Sequence, residues 1–279
     1  MPTHAMSTVS CAPRPEPGTV IPARLLRAAR LLALLARMWL GAHLAAPRLS
    51  ESQRARLMRR WARRFLATLR VEVRVRGAVP RASEATLLVA NHVSWLDTYA
   101  VHSLDAARFV AKSEIAAWPV VGAIARAFGT VFIRRGSCRA AARTVGAVAE
   151  LLCRGRSVAV FPEATTSDGQ GVLPFFPAMF QAAVLTGARV QPVAIRYRDA
   201  AGAPSAAANF VGEMSVLDSL RTILAAPRLQ VELIFCPPLD PAGRSRRELA
   251  AAARAAIAAA LGFAEAQPLP APTPLRRAA

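Results

Sequence analysis

At 279 residues the chain is long enough to bury a full α/β core, so length excludes little. The formal net charge of +19 requires a surface that attracts polyanions, either nucleic acid or anionic lipid headgroups, and almost all of it is arginine, Lys112 being the only lysine. The four cysteines, Cys11, Cys138, Cys153 and Cys236, stand far apart, which excludes a paired zinc-ligand motif and a disulfide-framed secreted domain and implies a reducing, cytosolic setting.

Residues 1–20 are rich in proline and small polar residues, lack an apolar run, and read as a disordered N-terminus rather than a secretory signal. Residues 21–47 are strongly apolar but interrupted by Arg24, Arg27, Arg30 and Arg37, so no stretch reaches the roughly 18 uncharged residues of a spanning helix. On a helical wheel of about 100° per residue the four arginines fall within an arc of about 140°, with Leu32, Leu35, Trp39 and Leu40 elsewhere and Leu31, Leu34 and Met38 intruding on the basic side. Two readings stay open: an interfacial helix with arginines at headgroup level, or a helix packed on the domain's own core. A second basic helix spans residues 50–69, where Leu57, Trp61, Phe65 and Leu69 recur at four-residue spacing among Arg54, Arg56, Arg59, Arg60, Arg63 and Arg64.

Thereafter short β-type runs alternate with helical ones. Val71, Val73 and Val75 alternate with charged residues, and further strands are predicted at 86–90, 108–112, 130–133, 157–161, 190–196 and 229–235. Helices are predicted at 95–104, 119–128, 138–152 and 177–185, with Gly129, Gly155 and Gly187 as stops. Ser245 and Glu248 form a capping box that opens an alanine-rich helix closed by Gly262, and the proline-rich tail 263–279 reads as disordered. The fold class is therefore α/β: a largely parallel sheet covered by helices, in a domain spanning 70–262, preceded by two amphipathic membrane-interface helices in 21–69.

The chemistry concentrates in Asn91-His92-Val93-Ser94-Trp95-Leu96-Asp97, which follows an apolar strand, where α/β proteins place active sites. If Ser94 caps the next helix, Asp97 falls in its first turn and can reach back to one nitrogen of His92, fixing the tautomer and stabilising the cation formed when the other nitrogen takes a proton. Ser94 and Asp97 also read as an ordinary helix start. Three more strands end in polar blocks: Gly129-Thr130-Val131-Phe132-Ile133-Arg134-Arg135, Phe161-Pro162-Glu163-Ala164-Thr165-Thr166-Ser167, and Val190-Gln191-Pro192-Val193-Ala194-Ile195. Taken singly, Arg135 reads as a solvated residue and Glu163 as a loop carboxylate paired with an arginine.

Together and in this order, the four blocks resemble the four motifs of the glycerolipid acyltransferase family, whose best-known members are the 1-acylglycerol-3-phosphate acyltransferases. The resemblance covers roughly residues 70–200. It implies His92 as the general base on the acceptor hydroxyl and Asp97 as its orienting partner. It further implies Arg135 as a cation for the acceptor's anionic group, Glu163, Thr165 and Thr166 as acceptor-binding residues, and Pro192 as part of the wall. The implied reaction is fatty acyl transfer from acyl-CoA or acyl carrier protein to the free hydroxyl of a lyso-lipid. The resemblance implies 1-acyl-sn-glycerol-3-phosphate as the acceptor, with lyso-ornithine lipid as the alternative, and an enzyme working at the cytoplasmic face of the cell membrane as a monotopic or peripheral protein. No cofactor or metal is implied. Ala164 and Thr166 depart from the glycine and arginine of the commonest pattern, and the run Thr165-Thr166-Ser167-Asp168-Gly169 resembles the branch acting on lyso-ornithine lipid.

No Gly-x-Ser-x-Gly elbow is present and no cysteine adjoins a histidine, so direct attack of the activated hydroxyl on the thioester is expected rather than an acyl-enzyme. Two rivals remain. A nucleic-acid-binding protein would interleave basic residues with exposed aromatics or carry a recognised motif, which the chain lacks, and a hydrolase would turn the same His and Asp on water.

Overall fold

The computed structural model describes residues 20–81, 84–104, 107–133 and 138–263. Two long helices come first, α1 (Val20–Leu44) and α2 (Glu51–Thr68). Ser50 opens α2 with a full capping box, its hydroxyl on the Gln53 N–H and the Gln53 side chain on its own N–H. The chain then alternates through β1 (Val71–Arg76), β2 (Thr86–Ala90), α3 (Leu96–His102), β3 (Arg108–Lys112), α4 (Ser113–Ala116), α5 (Val121–Ala127), β4 (Val131–Ile133), α6 (Cys138–Cys153) and β5 (Val158–Val160). It finishes with α7 (Phe180–Thr186), β6 (Arg189–Asp199), α8 (Val216–Ala225), β7 (Leu229–Phe235) and α9 (Arg246–Leu261).

The strands form one seven-stranded sheet in the order β1-β7-β6-β2-β5-β3-β4. β2 to β6 run the same way; β7 is antiparallel to β6, and β1 follows β7. β2 lies between β6 and β5 and is buried at every position, as its unbroken Thr-Leu-Leu-Val-Ala run requires of a strand covered on both faces. Residues of α1, α2, α3, α5 and α8 build the core on one face of the sheet; residues of α6, α7 and α9 build the other.

The first two helices differ in how they use their apolar residues. In α2 the four-residue stripe faces inward: Trp61, Phe65 and Leu69 are buried, Phe65 stacks on Tyr99 of α3 at 4.2 Å, and Trp61 meets Phe128 edge-on at 5.4 Å. Glu51 at its start is bound by Arg108 at 2.7 Å and by Arg156. Through its aromatic stripe α2 shares a hydrophobic core with the sheet. In α1, Leu31 and Met38, which intrude on the basic arc, are the residues that pack inward beside α5 and α8. Leu25, Leu32, Trp39 and Leu40 point outward, Leu32 being 67% exposed, with Arg30 and Arg37 exposed beside them. The helix thus packs on the core along one side and presents an apolar stripe along the other. No helix among the described residues is long and apolar enough to cross a membrane.

Candidate active site

Where β2 ends, Asn91 replaces backbone with side chain. Its amide donates to the Ile195 carbonyl at 2.9 Å and accepts from the Ile195 N–H at 2.7 Å, so the β2–β6 ladder continues one step further through a fully buried side chain. The main chain is thereby free to turn away, and residues 92–95 form the loop that enters α3.

Asp97, in the first turn of α3, reaches back across this loop. Its Oδ2 accepts from His92 Nδ1 at 2.9 Å, from the Val93 N–H at 2.8 Å and from the Ser94 N–H at 2.9 Å; its Oδ1 accepts from the Tyr197 hydroxyl at 2.6 Å. A carboxylate with no exposed surface is costly to bury unless its oxygens are hydrogen-bonded, and four donors meet that need. Ser94 contributes differently from a simple cap: its hydroxyl accepts from the Leu96 N–H while its own N–H goes to Asp97. With Nδ1 committed to Asp97, Nε2 is the nitrogen of His92 left to exchange a proton, and the side chain is 20% exposed. The imidazole lies flat against Phe161, the first residue of the third block, with ring centroids 4.0 Å apart and planes 8° apart.

Glu163 stands at the carboxyl end of β5, next to β2, and is buried. Its Oε2 accepts from the His92 N–H at 3.2 Å and its Oε1 from the Leu173 N–H at 3.1 Å. Burial pushes its carboxyl up to about 8, against the pull of those two N–H groups; the Asp97 charge adds to the rise and Arg254 opposes it. Arg254 of α9 donates to the carbonyls of Val172 and Leu173, tying the C-terminal helix to the same loop.

Ala164, the next residue, has φ +58°, in the left-handed region that glycine adopts freely and a Cβ disfavours. Thr165 is exposed. Thr166 is half-buried and donates its hydroxyl to the Phe210 carbonyl, while the Phe210 N–H donates to the Val93 carbonyl at 3.0 Å and the Asn209 amide to the Asp168 carbonyl at 2.7 Å. The segment after β6 is therefore fastened to both the first and the third block. Pro192 is buried within β6, opposite Val89 of β2. Arg135 lies outside the described residues; β4, which leads to it, ends at Ile133.

The structure thus brings His92, Asp97 and Glu163 together and places Thr165 and Thr166 on the adjoining loop. Sequence reasoning gave no role to Asn91, Phe161, Tyr197, Asn209 or Arg254. The only signal for Tyr197 was strand alternation, which puts Val193, Ile195 and Tyr197 on one face.

Chemically, this arrangement can hold an imidazole in one tautomer, accept a proton on Nε2 and stabilise the resulting cation, at the carboxyl edge of a mainly parallel sheet. An α/β enzyme built around a histidine–carboxylate pair is the class that fold and site define. The chain belongs to the acyltransferase family. Residues 70–196 match the family model described as Acyltransferase. It is 42% identical over 265 residues to the lyso-ornithine lipid O-acyltransferase of Pseudomonas aeruginosa, covering 91% of this chain and 98% of that one. It is also 40% identical over 177 residues to the 1-acyl-sn-glycerol-3-phosphate acyltransferase of Neisseria gonorrhoeae, covering 63% of this chain and 69% of that one. The crystal structure of the 1-acyl-sn-glycerophosphate (LPA) acyltransferase PlsC from Thermotoga maritima superposes with a TM-score of 0.61 at 23% identity, covering 87% of this chain and all of that one, and so shares the fold.

Proposed function

We propose that this acyltransferase moves a fatty acyl group from a thioester of coenzyme A or acyl carrier protein to the free hydroxyl of a lyso-lipid, and that the acceptor is lyso-ornithine lipid. The observation that carries the chemistry is the 2.9 Å contact between His92 Nδ1 and buried Asp97. His92 Nε2 takes the proton of the acceptor hydroxyl as its oxygen attacks the thioester carbonyl. The tetrahedral adduct then collapses, the C–S bond breaks, and the departing thiolate takes the proton back from the imidazolium. Glu163 acts from behind, holding the His92 N–H, and Thr165 and, from the second block, Arg135 are assigned to binding the acceptor.

Two observations support the choice of acceptor. The match to the Pseudomonas aeruginosa lyso-ornithine lipid O-acyltransferase runs nearly the full length of both chains. Thr166 also replaces the cation of the commonest pattern, and its hydroxyl is committed to the Phe210 carbonyl, leaving that position without a charge for a phosphate monoester. The second reading, 1-acyl-sn-glycerol-3-phosphate, is favoured by the Neisseria relative and by Arg135, which retains one cation for an anionic headgroup.

The outward stripe of α1, flanked by Arg30 and Arg37, lies against the anionic cytoplasmic face of the membrane, where both lipid substrate and product reside. The test is to supply purified protein with lyso-ornithine lipid, 1-acyl-sn-glycerol-3-phosphate and zwitterionic lyso-phospholipids, each with acyl-CoA and acyl carrier protein donors, and to identify products by mass spectrometry. Diacylated ornithine lipid as the main product is expected. A higher kcat/KM for the glycerophosphate acceptor would overturn the choice of acceptor, and thioester hydrolysis without transfer would overturn the reading as a whole.

A further inference from the structure

The two oxygens of Asp97 are unequally loaded. The three donors on Oδ2 all come from the short loop before it, whereas the single donor on Oδ1, the Tyr197 hydroxyl, comes from β6, a hundred residues further along the chain. The torsion that turns a carboxylate is soft and roughly two-fold, so donors on one oxygen alone leave the group free to rock. A donor fixed on the opposite oxygen removes that freedom. Tyr197 can serve in this way because its ring is buried in the core, 5% exposed, and its hydroxyl sits at 2.6 Å with the Ser94 side chain also hydrogen-bonded to it. Burial, reinforced by the facing Asp97 charge, raises the phenol's ionisation well above its usual range, so it stays an O–H donor throughout the working range of pH.

We propose that Tyr197 is a positioning residue for acyl transfer: it fixes the plane of the Asp97 carboxylate and, by sharing its charge, sets how strongly that carboxylate holds a proton on His92. The inference rests on His92 acting as the base. Among the described residues, the titratable and charged groups facing the pair are Glu163 from the loop after β5, Arg254 of α9 behind it, and Tyr197 from β6. Within α3, Tyr99 stacks on Phe65 and is pushed by burial up to about 12, and from α2 Arg63 donates to the Ser103 carbonyl at the far end of that helix.

Tyr197→Phe keeps the ring and deletes the donor. A carboxylate with one donor fewer stabilises the imidazolium more, so the acidic limb of the kcat/KM profile moves to higher pH, by about half a unit or more, while kcat falls by about tenfold from lost alignment. KM for acceptor and donor stays within about twofold, since Tyr197 touches neither. Replacing Tyr197 with a fluorotyrosine, a more acidic and stronger donor of the same shape, moves the limb the opposite way. Repeating the profiles in a Glu163→Gln background separates this limb from the titration of Glu163. Coincident limbs in the wild-type, Tyr197→Phe and fluorotyrosine enzymes would overturn the proposal whatever happens to kcat, because packing alone cannot move a limb in two directions. Should Tyr197→Phe not fold, the fluorotyrosine form carries the test by itself. His92→Ala is the control: an active His92→Ala enzyme removes the base reading beneath the proposal, whereas an inactive one beside unmoved limbs removes only the role of Tyr197.

Discussion

Residues 92–97 and helix α1 meet their surroundings in opposite ways. In the loop, the imidazole Nδ1, two N–H groups and a distant phenol converge on one carboxylate at 2.6–2.9 Å. Along the outer side of α1, Leu25, Leu32, Trp39 and Leu40 stand open, with Arg30 and Arg37 alongside. Hydrogen bonds of defined length and angle fix an atom in place; an apolar stripe fixes only which surface it prefers. The first region is therefore suited to chemistry, where a small displacement is costly, and the second to adhesion, where it is not.

Substitutions should separate the two. His92→Ala is expected to lower kcat by about 10²- to 10⁴-fold, and Asp97→Asn to lower it strongly, with vesicle binding unchanged in both. Loss of vesicle binding alongside loss of turnover would show the two regions to be coupled. Glu163 supplies the next largest effect, on stability. Its carboxyl is raised to about 8 in the fold, from an ordinary value of 4.5, so across that window the native state keeps a proton that the unfolded chain has lost. Stability contributed by this group is fully present below about 4.5 and is lost as pH rises through about 8, a change on the order of 5 kcal/mol. Denaturant unfolding from pH 5 to 9 should show this decline, and Glu163→Gln should flatten it; an equal slope in both proteins would assign the decline to other groups.

On the adhesive side, Leu32→Ser with Trp39→Ser is expected to weaken sedimentation with anionic vesicles by about tenfold or more while leaving the melting temperature unchanged, since both side chains are already exposed. A fall in melting temperature without a change in sedimentation would mean that the stripe packs on protein instead. The smallest effect belongs to Ala164→Gly, which relieves a left-handed alanine and should stabilise the fold by about 0.5–1 kcal/mol. A destabilised glycine variant would show that the methyl group is needed in the loop.

Much of this was legible in the sequence because it is local. Strands 86–90, 108–112 and 229–235 lie where alternation and apolar runs place them, and the capping box at Ser245 opens α9. His92 and Asp97 sit five residues apart, close enough for one loop to join them. What stayed hidden depends on distant chain. Tyr197 and Asn91 acquire their partners only when β6 lies beside β2, and the reversal of β7 and β1 at the sheet edge follows from tertiary packing rather than from any short pattern. Helix α8 was missed although Ser215 caps it through the Asp218 N–H, because ten residues between loops leave little room for a period to show. Glu163 was placed at the correct edge, but no local pattern indicates that its two oxygens turn inward to His92 and Leu173.

The pairing of Asn91 with Ile195 also governs when the enzyme becomes an enzyme. The two residues are 104 positions apart, and Tyr197 stands 100 positions from Asp97. A chain emerging from the ribosome presents His92 and Asp97 long before the strand that aligns them has been made, and docking that strand requires closing a loop of about a hundred residues, the slow kind of contact in folding. Catalytic competence is thus deferred to the last stages of assembly. Restored acyl transfer after dilution from denaturant should accordingly lag behind the recovery of helical signal and serve as a late clock for the whole fold.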